Sequence, residues 1–151
     1  MKPFVFSLEP LLEFRTYELE KVEKELSLQS GKLALLKEEL EKNAREMVRI
    51  GYERFQKSNS AEEIRAYEHY SMRLEKEKEK TLKAIAQAEM VLEKIREQWT
   101  EANKKKKVLE KMKEKKYNAW KQEKTREEIL ILDEFGIVSH EREKMLNKRM
   151  Q

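Results

Sequence analysis

Cysteine is absent from the 151 residues, which excludes disulfides, thiolate metal sites and cysteine nucleophiles and fits a reducing compartment. A cytoplasmic location is therefore expected. Glycine is scarce, and Gly31, Gly51 and Gly136 are isolated, so no glycine-rich loop can cradle a phosphate. Nucleotide hydrolysis is not expected. The two histidines, His69 and His140, have no second histidine or cysteine at ligand spacing, so no metal site and no cofactor are expected. No run of about 18 apolar residues is present that could span a bilayer. The opening stretch Met1 to Ser7 is too short in apolar length for a signal peptide. Membrane association would be peripheral.

Charge, by contrast, is abundant. Charged residues make up 42% of the chain and hydrophobic ones 38%, with 34 basic against 30 acidic side chains. Little apolar material remains for a globular core, and the composition matches long helices or a coiled coil. Leu12, Leu19, Leu26, Leu33, Leu40 and Met47 recur every seven residues, with Val22, Leu36 and Ile50 in the second seam position. Arg15, Gln29 and Asn43 interrupt that seam as register marks, because a slipped partner would bury them against leucine. Ser7 can cap the helix and Pro10 falls in its first turn, so a helix over 8–56 is expected.

Ser58-Asn59-Ser60 is the only polar turn cluster in the chain interior, and Ser60-Ala61-Glu62-Glu63 reads as a capping box. The expected order is a turn at 57–60, a second helix over 61–135, and a charged tail over 136–151 that frays. Ile64, Tyr67, Leu74, Ile85, Ala88, Leu92, Ile95, Trp99, Ala102 and Leu109 hold one heptad frame on the second helix. Trp99 is read as core within it. A short turn forces antiparallel neighbours. At about 1.5 Å per residue the helices would be roughly 73 Å and 105–110 Å long, leaving everything after about Lys113 as an overhang. The fold class is all-α, a long antiparallel coiled-coil hairpin with the second helix overhanging the first.

Such a structure lacks a pocket that could tune a catalytic carboxylate, and alternations such as Glu75-Lys76-Glu77-Lys78 read as a solvated face. The protein is expected to bind other proteins and not to be an enzyme. Two places exceed what packing requires. From Lys104 to Arg126, eleven basic residues face only Glu110, Glu114 and Glu123, and Met112, Tyr117, Ala119 and Trp120 are interleaved with them. This segment suits an acidic partner with an apolar anchor. Near the turn, Tyr52, Phe55, Tyr67 and Tyr70 crowd where two helices have little interior. Tyr67 and Leu74 sit on the seam; Tyr70 sits off it.

Phe6-Ser7-Leu8-Glu9-Pro10-Leu11-Leu12 with Arg15, Tyr67-x-x-Tyr70-x-x-x-Leu74-Glu75, Arg96-x-x-Trp99, Leu109 to Glu114, and Leu132-Asp133-Glu134 together resemble the flagellar export protein FliJ family over residues 4–135. The resemblance implies a non-enzymatic part of the flagellar type III export apparatus, similar to the central stalk of rotary ATPases. Its implied partners are the hexameric export ATPase of the FliI type, the cytoplasmic domain of the export gate FlhA, and export chaperones. It implies no nucleic acid, and membrane contact only through partners at the cytoplasmic face of the inner membrane. Carried onto this chain, Tyr67, Tyr70 and Leu74 would bind the gate. Lys111, Lys115, Lys116, Trp120 and Lys124 would face the ATPase. The alternatives are a structural coiled-coil spacer and a basic helix that binds nucleic acid or an anionic membrane surface. The spacer predicts self-association through the seam; the basic helix predicts affinity that falls steeply with salt.

Overall fold

The computed structural model describes residues 2–57, with only the backbone of Lys57, and residues 60–151. Two helices are present, α1 over Glu9–Lys57 and α2 over Ala61–Arg149, and no strand occurs among the described residues. The expected turn at 57–60 falls largely on Ser58 and Asn59, which lie outside the described residues. Ser60 opens α2 as the capping pattern requires: the Glu63 amide donates to Ser60 Oγ at 3.2 Å, and the Ile64 amide donates to the Ser60 carbonyl at 3.2 Å. At α1 the first helical acceptor is the carbonyl of Leu8, reached by the Leu12 amide at 2.9 Å. The helix thus starts one residue later than the Ser7 cap suggests. Pro10 still lies in the first turn, where no internal bond needs its missing N–H.

The chain divides into two compact units, one formed by residues up to Thr16 with those from Lys104 onward, the other by Tyr17–Asn103. In the Tyr17–Asn103 unit the two helices run antiparallel. Leu33, Ile85 and Leu92 form a buried cluster against which Leu26, Leu36, Leu40 and Ala88 pack, and Leu19, Ile50, Leu74 and Ile95 are buried along the same seam. Each side chain removed from water in this way contributes about 1.5–3 kcal/mol. The heptad spacing is what lets a two-helix contact collect these contributions along one line. Ile64 departs from its expected seam place and is 36% exposed at the start of α2. Asn43, expected as a register mark, reaches across the seam: Nδ2 donates to the Leu74 carbonyl at 2.9 Å, while its buried Oδ1 has no partner. Trp99 is only half-buried, and its indole N–H donates to Glu23 Oε1 at 3.2 Å.

The other unit has a feature absent from the helical reading. Residues 2–8 form no helix; they lie along α2 as a strap. Phe6 is 4% exposed and forms a buried cluster with Leu12 and Leu109, with Phe4 and Leu8 packed against it. Phe4 meets Tyr117 edge-on at 5.3 Å and Trp120 at 6.0 Å, and the Trp120 indole N–H donates to the Lys2 carbonyl at 3.0 Å. Lys113 pairs with Glu9 at 2.8 Å, an exposed ion pair worth less than about 1 kcal/mol. The bare overhang expected after Lys113 is therefore corrected, because the strap covers one face of α2 as far as Trp120.

A second correction concerns the end of α2. The helix does not stop before Gly136 but continues through it to Arg149, so residues 136–149 are helical and not a frayed tail. Gly136 has an ordinary negative φ. One glycine costs about 1 kcal/mol in a helix interior, and the following Glu, Arg, Lys, Met and Leu residues propagate helix well. Every residue from Lys121 to Gln151 is exposed.

Candidate functional site: two partner-binding surfaces

In the Tyr17–Asn103 unit, α1 and α2 leave a shallow groove near the turn, lined by Arg49, Ile50, Glu53, Glu63, Ala66, Tyr67 and Tyr70. Tyr67 is half-buried, so its ring partly fills the seam and partly faces the groove. Tyr70 departs from the expectation of a side chain clear of the pairing. It is half-buried, its hydroxyl donates to Glu46 Oε1 of the opposite helix at 2.9 Å, and the Arg73 guanidinium stands 5.0 Å above its ring. Arg49 Nε donates to Glu46 Oε2 at 2.9 Å, Nη2 bonds Oε1, and Nη1 donates to Glu53 Oε1 at 2.8 Å. The Arg49 hydrogen bonds, then that of Tyr70, hold the Glu46 carboxyl at about 2. The Arg49 guanidinium is raised by the same partner. The Tyr70 phenol is also raised, chiefly because Glu46 accepts its proton in a hydrogen bond.

At neutral pH this network ties Tyr70 of α2 to Glu46 of α1. Leu74, third of the sequence-picked residues here, is 5% exposed, buried in the seam, and does not line this groove. Among the described residues of this unit, Phe55 is the most exposed aromatic, at 94%, followed by Tyr52. The polar network was not read from the sequence, although Glu46, Arg49 and Glu53 lie three and four residues apart on one helix face.

In the other unit the five expected basic-surface residues divide between two faces of α2. Lys116, Trp120 and Lys124 lie on the strap side. The Lys116 ammonium sits 5.7 Å from the Phe6 ring centre, the Lys124 ammonium sits 5.3 Å from that of Trp120, and Tyr117 stacks on Trp120 at 5.8 Å. Such cation–π contacts contribute about 0.5–1 kcal/mol each at exposed sites. Trp120 is thus already half-covered by the chain's own Phe4, where an apolar anchor for a partner was expected. Lys111 and Lys115 are exposed and lie about 200° and about 240° round the helix from the buried Leu109, so they face away from α1. Lys104 and Lys107 extend the same row at helical spacing, also exposed. The missed residues are Phe4 and Phe6, whose alternation across Val5 is the only sequence signal of a strap.

Among the described residues, no cluster of three or more His, Asp or Glu could hold a metal ion. No helix among them is long and apolar enough to cross a membrane. Heptad-paired helices, with an aromatic groove in one unit and an outward lysine row in the other, make this an all-α protein of the coiled-coil class. A family model described as flagellar FliJ protein matches residues 4–145, and the chain belongs to this family of non-enzymatic components of the flagellar protein export apparatus. The match extends past Gly136 into the part of α2 for which the sequence offered no role. No curated protein and no solved structure matches the chain.

Proposed function

We propose that this protein couples the hexameric export ATPase to the cytoplasmic domain of the export gate, FlhA, working in the cytoplasm at the flagellar base, and that it also escorts export chaperones. Family membership over residues 4–145 carries this reading. Two surface features support it. The groove flanked by Tyr67 and Tyr70, with Leu74 buried in the seam, is the gate-binding surface. The network of Glu46 and Arg49 holds the Tyr70 ring in one arrangement, which lowers the ordering cost of binding. The outward row containing Lys111 and Lys115 attracts acidic surfaces of the ATPase, while Lys116, Trp120 and Lys124 form the aromatic and cationic patch beside it.

The test uses purified ATPase and the purified FlhA cytoplasmic domain against the full chain. Lys111→Glu with Lys115→Glu weakens ATPase binding at least tenfold and leaves gate binding unchanged; Tyr67→Ala with Tyr70→Ala does the reverse. Both pairs of substitutions preserve helicity. Unchanged affinity for both partners overturns the placement of the sites, and failure of the parent chain to bind either partner overturns the coupler reading. Salt-sensitive binding of the parent chain to duplex DNA or anionic vesicles, abolished by the lysine substitutions, favours the basic-helix reading instead.

A further inference from the structure

The last five turns of α2 carry an apolar face that nothing covers. At 3.6 residues per turn, Ile131, Phe135, Val138, Met145 and Leu146 fall within about 100° of one another around the helix. They are exposed by 52%, 68%, 46%, 68% and 57%. Ile129, Leu130, Leu132 and Ile137 are exposed as well but fall outside this arc; a face this narrow, interrupted by Arg142, is the kind a second helix covers.

The charges along the same stretch say which helix. Residues 128–134 contain Glu128, Asp133 and Glu134 and no base, whereas residues 142–149 contain Arg142, Lys144, Lys148 and Arg149 against the single acid Glu143. The segment is acidic at its start and basic at its end, so it complements itself only when turned round. We propose that the end of α2 is a self-association surface, on which a second copy of this chain docks antiparallel with the two Val138 side chains at the dyad. Ile131 then lies level with Met145 of the second copy, Glu134 with its Arg142, and Glu128 with its Lys148. A parallel arrangement sets acid beside acid and base beside base along the whole contact, which is unfavourable. Arg142, the one charge inside the apolar face, gains a carboxylate at its edge in the antiparallel register and a second arginine in the parallel one. An isologous contact of this kind closes on itself and stops at two chains.

The contact is small. Six helical turns with a handful of apolar side chains fall below the size of stable interfaces, so the association belongs in the micromolar range. A weak dimer conceals the face until a tighter binder takes it, and any partner of this face competes with self-pairing. None of this depends on the coupler reading.

The full chain is tested by sedimentation equilibrium between 1 and 300 µM, with helicity followed by circular dichroism. The parent is expected to dimerise with rising concentration. Val138→Glu, which keeps the helix, is expected to weaken dimerisation at least tenfold. Glu128→Lys with Glu134→Lys, and separately Arg142→Glu with Lys148→Glu, are each expected to remain monomeric, while an equimolar mixture of the two variants restores dimers. Because the chain has no cysteine, single cysteines report direction: Ile131→Cys mixed with Met145→Cys cross-links faster than Met145→Cys with itself. A monomer throughout the range overturns the proposal. So does a dimer insensitive to Val138→Glu, which would be paired elsewhere, or the opposite order of cross-linking rates, which would mean a parallel pair.

Discussion

Phe6→Ala is the perturbation whose outcome follows most directly from the strap. Burying Phe6 contributes about 2–3 kcal/mol. Phe4 and its two ring contacts add about 2. The hydrogen bond from the Trp120 indole to the Lys2 carbonyl adds about 1. Against roughly 5–6 kcal/mol of gain stands the cost of ordering the residues from Lys2 to Phe6, about 1 kcal/mol or slightly more for each backbone. The two sums nearly cancel, so strap docking is marginal while α1 and α2 hold through their seam. Removing the Phe6 ring shifts the docking equilibrium by about 2–3 kcal/mol, on the order of 50-fold toward the undocked strap. Helicity is kept. The assay is tryptophan fluorescence in a Trp99→Phe background, where Trp120 is the sole reporter of the two tryptophans. Phe6→Ala should shift Trp120 emission to the red and raise its accessibility to a soluble quencher, with the helical circular dichroism unchanged. An unmoved emission maximum, or loss of the helical signal along with the strap, would refute the reasoning.

Other consequences are equally direct. Asn43→Leu removes an amide whose Oδ1 is buried without a partner, so it should raise the unfolding free energy by about 1 kcal/mol; thermal denaturation that shows a loss contradicts this. Gly136→Ala meets nothing within 4 Å and should stabilise the end of α2 by about 1 kcal/mol, visible as slower amide exchange over residues 130–142. The Glu46 carboxyl, lowered in the folded state from 4.5 to about 2, contributes stability that is present above its unfolded value and is lost as pH falls through about 2. The Tyr70 phenol is raised, so its contribution is present below 10 and is lost as pH rises through its higher folded value. Absorbance titration at alkaline pH should show that Tyr70→Phe removes a phenol ionising above the ordinary range; an unchanged titration curve counts against the Glu46 contact.

Much of this protein was legible in its residue order. Apolar residues at heptad positions bury one stripe on each helix, because that pattern returns side chains to one face, and Leu19, Leu33, Leu74, Leu92 and Leu109 are buried as that rule requires. The start of α2 was equally local, since a serine three residues ahead of a glutamate satisfies amides within one turn. Where chemistry-bearing residues stand was another matter. Lys111 and Lys116 look equivalent in a lysine-rich run, yet one faces away from α1 and the other sits over Phe6, more than a hundred residues away in sequence. Tyr70 looked free because heptad position says nothing of a hydroxyl meeting a carboxylate on the opposite helix.

The length of α2 also escaped local signals, because one glycine weighs little against a run of strong helix formers. Residue order by itself determined the all-helical class, the antiparallel seam and the absence of thiol chemistry, since these depend on periodicity and composition. Only the tertiary structure decided which aromatic rings are covered, which lysines are presented outward and which carboxylate is held ionised. The covered rings, and the bond from Tyr70 to the held carboxylate, arise from contacts between residues distant in the chain, which no periodicity encodes.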